Sequence, residues 1–108
     1  MKRLALALIL SAGAALAHQL TVFAFVEDGD VVVETRFSSG RVPVEGTVRV
    51  LDATEALVLE TTLAEDGTAR FPLDPGVASD GLTIVVETGE GHDNYWILTP
   101  QDIAGGRE

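Results

Sequence analysis

The stretch Asp30-Val31-Val32-Val33-Glu34-Thr35-Arg36-Phe37 alternates: Val31, Val33, Thr35 and Phe37 share one face, and Val32, Glu34, Arg36 and Ser38 share the other. A period of two is what a half-buried β-strand requires. The same alternation recurs on both sides of it. Val48 and Val50 oppose Thr47 and Arg49; Leu57, Leu59, Thr61 and Leu63 oppose Val58, Glu60 and Thr62; Leu82, Ile84 and Val86 oppose Thr83, Val85 and Glu87. Between the runs stand Asp28-Gly29, Ser39-Gly40, Glu65-Asp66-Gly67, Asp74-Pro75-Gly76 and Asp80-Gly81. In such turns Gly supplies positive φ and Asp bonds its own backbone. No segment beyond the first 17 residues shows a helical stripe.

Short strands at regular spacing predict an all-β fold, a single seven-stranded antiparallel sandwich of Ig-like or prealbumin-like type. The expected strands are 19–27, 30–38, 46–52, 56–63, 68–73, 82–88 and 94–99. The first has apolar residues on both faces, Leu20, Val22, Ala24 and Val26 on one and Phe23 and Phe25 on the other, so it needs cover on two sides. Pro72 lacks a backbone donor, which assigns the strand around Phe71 to a sheet edge or ends it there. Tyr95 and Trp96 point to opposite faces of the last strand, one into the core and one to the surface. The small and polar run Ala104 to Glu108 predicts a flexible tail, with the domain taken as 18–101 and the tail as 102–108.

The chain begins with a basic Met1-Lys2-Arg3, an apolar run from Leu4 to Leu16, and the small residues Ala15 and Ala17 flanking Leu16. This is the pattern of a cleavable signal peptide, residues 1–17, and implies export to the periplasm. Retention as an anchor is the competing reading, because apolar residues resume at Leu20. His18, Gln19 and Thr21 interrupt that stretch, and the unbroken part is short of the roughly 20 apolar residues of a spanning helix. Cleavage leaves 91 of the 108 residues, one small domain, with five basic against 17 acidic side chains and a net charge of −12. So acidic a chain does not seek nucleic acid or an anionic membrane surface. With no cysteine, neither a disulfide framework nor a thiolate site supports it.

The sequence points away from catalysis. Ser38, Ser39 and Ser79 fall in expected turns without a nucleophile elbow, Gly89-Glu90-Gly91 is acidic and lies between strands, and hairpin turns offer little material for a deep cleft. Metal binding has a stronger case. Cleavage after Ala17 makes His18 the first residue, with a free α-amine and an imidazole as two nitrogen donors on one residue. Such donors suit Ni²⁺, Co²⁺, Cu²⁺ and Zn²⁺, with copper the tightest intrinsically. The chain's other histidine is His92. In seven-stranded sandwiches the first and last strands commonly lie close together. If they run parallel, His18 and His92 meet at one end, with Glu90 or Asp93 as candidate oxygen ligands.

His18-Gln-Leu-Thr-Val-Phe-Ala-Phe-Val-Glu after a signal, Arg36-Phe-Ser-Ser-Gly-Arg, Ala64-Glu-Asp-Gly-Thr-Ala-Arg-Phe and Gly89-Glu-Gly-His92-Asp-Asn-Tyr-Trp together resemble the small accessory periplasmic components of energy-coupling-factor nickel/cobalt transporters. The Glu-Asp-Gly turn leading into Phe71 is shared with carboxypeptidase-regulatory-like and transthyretin-like sandwiches. The resemblance implies a non-enzymatic subunit outside the cytoplasmic membrane, beside an integral-membrane subunit, binding or handing over Ni²⁺ or Co²⁺. Two alternatives stand beside it: an exported interaction module without metal, and a periplasmic copper carrier, although the only methionine is Met1.

Overall fold

A computed structural model describes residues 19–88 and 92–105. The expected signal segment 1–17, His18, Glu90 and residues 106–108 of the expected tail lie outside the described residues. The chain forms β1 (Leu20–Glu27), β2 (Asp30–Phe37), β3 (Gly46–Asp52), β4 (Leu57–Thr62), β5 (Thr68–Pro72), α1 (Pro75–Ala78), β6 (Leu82–Thr88), β7 (Asp93–Leu98) and α2 (Pro100–Gly105). All seven expected strands are present, each within one residue of its expected bounds. They form two antiparallel sheets, one ordered β1-β2-β5 and the other β4-β3-β6-β7. No helix among the described residues is long and apolar enough to cross a membrane.

Local chemistry explains the joints. Asp28 and Gly29 join β1 to β2 with φ of 52° and 83°, the two positive values that a type I′ hairpin turn demands. At the β4–β5 crossing, Asp66 Oδ1 accepts from the Thr68 hydroxyl at 2.7 Å and from the Thr68 amide at 3.1 Å. These bonds, the hydroxyl's first, hold the Asp66 carboxyl below the usual carboxylate range.

The inward faces are those the alternation predicts. Val31 and Val33 of β2, Val48 and Val50 of β3, and Ile84 and Val86 of β6 are essentially inaccessible, joined by Leu20, Val22, Ala24 and Val26 of β1 and by Phe71 of β5. Buried apolar surface of this kind stabilises by about 25 cal/mol per Å². Thr35, also inward, is buried because its hydroxyl donates to the Gly67 carbonyl at 2.6 Å. Pro72 ends β5 at a sheet edge, as its missing donor requires. Tyr95 is exposed, whereas Trp96 packs on the core and meets Phe23 edge-on at 5.0 Å. Trp96 thereby covers part of the second apolar face of β1.

Two expectations are corrected. Leu57 is 56 % exposed instead of facing inward, because the β3–β4 register shifts between Val50 and Leu51. That bulge sets Leu57 opposite Leu51 on the outer face. Order also continues past the expected boundary at 101, into α2. Asp102 Oδ2 accepts from the Thr99 amide at 2.9 Å while Thr99 Oγ1 accepts from the Asp102 amide at 3.1 Å. This reciprocal cap, with Pro100 at the first helical position, starts the helix, and Ile103 anchors it by burial.

Candidate metal site

β1 and β7 both begin at one end of the sandwich. Gln19 is fixed to Ser38, the residue after β2, by two bonds: its carbonyl accepts from the Ser38 amide at 2.8 Å and its amide donates to Ser38 Oγ at 3.2 Å. The residue that follows His18 is therefore held to the ladder. Asn94 ties the two edge strands together, donating from Nδ2 to the Leu20 carbonyl at 2.8 Å and accepting at Oδ1 from the Tyr95 amide at 2.9 Å. With Leu20 beside Asn94 and Phe23 beside Trp96, the two strands run in the same direction, as the convergence of the histidines requires.

His92 extends the β6–β7 ladder by one pair. Its carbonyl accepts from the Thr88 amide at 2.9 Å and the Thr88 hydroxyl at 3.0 Å. The imidazole stands edge-on to the Phe37 ring, centroids 5.6 Å apart at 69°. Phe37 is the cross-strand partner of Leu20, so the imidazole lies against the residue paired with the second position after His18. The ring borders a cleft of about 90 Å³ whose other walls include Ser39, Arg41 and Pro43.

Asp93 is not brought to that imidazole. Successive residues of a strand point to opposite faces, and Asp93 is exposed opposite Glu87 on the outer face. Glu87 is itself engaged by Arg49 at 2.9 Å. The Arg49 hydrogen bond holds the Glu87 carboxyl below its usual range, against a smaller opposing effect of desolvation. Among the described residues no group of three or more His, Cys, Asp or Glu side chains is arranged to hold a metal ion. Of the expected ligands, His92 is the one that the described residues bring to this end.

Asn94 is the residue joining the two edges that alternation alone does not reveal. It stands in step with Trp96 and Leu98 but is exposed, so burial writes no signal of it into the alternation. Asn94→Ala is expected to lower the unfolding free energy by about 1 kcal/mol, the net worth of such a bond, and to speed hydrogen exchange at the Tyr95 amide. Urea denaturation and exchange measured by NMR check this; if both are unchanged, the tie between the edges carries no load.

No family model matches the chain, and no curated protein matches it. Among solved structures, it is similar to native alpha-2-macroglobulin from Escherichia coli spanning domains NIE–MG1, with a TM-score of 0.64 and 15 % identity over 75 % of this chain and 37 % of that one. A β-glucuronidase from Ruminococcus gnavus, in complex with uronic isofagomine, gives a TM-score of 0.40 and 21 % identity over 75 % of this chain and 14 % of that one. The chain thus spans well under half the length of either. The second likeness carries no argument, and the first concerns the fold alone: a β-sandwich built of two antiparallel sheets.

Proposed function

We propose that this chain is an exported, non-enzymatic accessory subunit of a nickel/cobalt uptake system, an Ig-like periplasmic sandwich that binds or hands over Ni²⁺ or Co²⁺ beside an integral-membrane subunit. The observation that carries the reading is the Asn94 tie, which holds the start of β1 to the start of β7. His18 leaves from the first of these starts, and the His92 imidazole is fixed near the second by Phe37. Signal cleavage supplies the amine, so the amine and imidazole of His18 chelate as one residue and His92 adds a third nitrogen. Such a nitrogen set suits Ni²⁺, Co²⁺ and Cu²⁺, and the resemblance of the sequence selects the first two as cargo. Before export the amine is part of a peptide bond, which restricts the full donor set to the outer compartment.

Calorimetric titration of the secreted protein with Ni²⁺ tests this. His18→Ala and His92→Ala are each expected to weaken binding at least about tenfold, equivalent to about 1.4 kcal/mol. One added residue ahead of His18 is expected to weaken it as well, because the amine moves off the chelate. Equal binding by all four proteins removes the reading.

A second reading, an exported interaction module without metal, draws on the exposed Tyr95 and Ile97 of β7 and on the Arg41 side chain in the wall of the His92 cleft. A guanidinium there repels a bare cation. Nickel binding no tighter than that of a His18→Ala/His92→Ala double variant favours this module.

A further inference from the structure

The cleft beside His92 is cationic in a strongly acidic chain. Phe37, Ser39, Arg41, Val42, Pro43 and His92 are among its walls, and among the described residues no carboxylate side chain lines it. Among the described residues, Arg49 and Arg70 are engaged in ion pairs with Glu87, Glu27 and Asp30, whereas Arg41 has no such pair. The loop that carries Arg41 is well tied. Its carbonyl accepts from the Phe37 amide at 2.8 Å, the Gly40 amide donates to the Phe37 carbonyl at 2.8 Å, and Gly40 takes the positive φ of 96° that closes the turn. The Arg41 amide donates to Ser39 Oγ at 3.3 Å, which leaves the Ser39 O–H as a donor.

We propose that this cleft is a carboxylate-binding site, held by the Arg41 guanidinium together with the Ser39 O–H and one imidazole N–H of His92. A neutral imidazole already offers that N–H, so no change of protonation is needed. The guanidinium fork matches the two oxygens of a carboxylate. Phe37, Val42 and Pro43 supply apolar walls for the carbon that bears it. The volume of about 90 Å³ is about three times the liquid share of one water molecule, ~30 Å³, which admits an acetate-sized group. A phosphate dianion, with four oxygens and no apolar stem, fits this half-apolar lining less well. The site stands on Arg41 and Ser39 and does not depend on the metal reading.

The test is an NMR titration of the ¹⁵N,¹³C-labelled secreted protein with sodium acetate, ionic strength being held constant with sodium chloride. Saturable shifts at Arg41 Nε and the His92 imidazole are expected. Arg41→Gln is expected to weaken acetate binding roughly tenfold, the scale of one charge-assisted hydrogen bond. Ser39→Ala, expected to weaken it several-fold, keeps the test open if the Arg41 variant does not fold. N-acetylglycylalanine and its amide separate a free acid from a partner's chain end: tighter binding of the peptide acid than of acetate marks a chain terminus as ligand, and the reverse marks a solute. Shifts that sodium chloride alone reproduces, unchanged affinity in both variants, or tighter binding of sodium phosphate than of either carboxylate overturn the assignment.

Discussion

Ile84→Ala is expected to lower the unfolding free energy of the domain by about 3–4 kcal/mol, the middle of the range for removing a large aliphatic side chain from a tight core. Ile84 is completely inaccessible, paired with Val50 of β3 on one side and Trp96 of β7 on the other. The central position of β6 gives it strand neighbours on both flanks. Those neighbours are fixed in ladders and cannot close over the space a shorter side chain leaves, so the cavity term adds to the lost transfer energy. Domains of this size have a total stability of about 5–15 kcal/mol, and each kcal/mol moves the midpoint by about 4–8 °C. A fall of roughly 12–32 °C follows. Ile84→Val, which removes one methyl group, is expected to cost about 0.5–1.5 kcal/mol. Thermal and urea unfolding with an unchanged denaturant slope check both; a loss below about 1.5 kcal/mol for the alanine variant contradicts a packed centre at Ile84.

Gly67→Ala is the second large effect, expected at about 2–4 kcal/mol by combining left-handed backbone strain with overpacking. Gly67 has φ of +80°, and a methyl group there would stand 3.0 Å from Thr35 Oγ1 and 3.0 Å from Val42 Cβ. The turn cannot move aside cheaply, because the Gly67 carbonyl accepts both the Thr35 amide at 3.1 Å and the Thr35 hydroxyl at 2.6 Å. Gly29 supplies the control: its φ is +83°, but nothing lies within 4 Å of the added methyl. Gly29→Ala therefore reports the backbone strain alone, about 1–2 kcal/mol. Equal losses in the two variants by urea unfolding would show that the contacts with Thr35 and Val42 are not tight.

Alternation made the strands and most of the core legible, because burial on one face writes a period of two into every strand that has only one face buried. Val31, Val33, Val48, Val50, Ile84 and Val86 were all readable that way. Leu57 was not, since a bulge changes the face without changing the composition. α2 was hidden for another reason: a helix of one and a half turns has no periodicity to detect, and its signal lies in the Thr99 and Asp102 cap flanking Pro100. The shared end of β1 and β7 was foreseeable from the number of strands and their expected order. What holds that end, the Asn94 amide, is a long-range contact that no local pattern encodes. The opposite faces of His92 and Asp93 follow from strand geometry once the β6–β7 pairing is fixed.

The Asn94 tie bears on how the protein behaves when many copies are crowded together. β1 and β7 each border a sheet, and an open border is a template on which another chain can add a strand and begin a polymer. Asn94 occupies a carbonyl on one border and an amide on the other with a single side chain, and Trp96 lies against Phe23 alongside. On the opposite flank β5 ends in Pro72, which has no donor to offer. These three of the four sheet borders are thus made unattractive to their own kind by one or two residues each, without a further strand to cover them. The same side chain that joins the start of β1 to the start of β7 also helps to keep neighbouring copies separate.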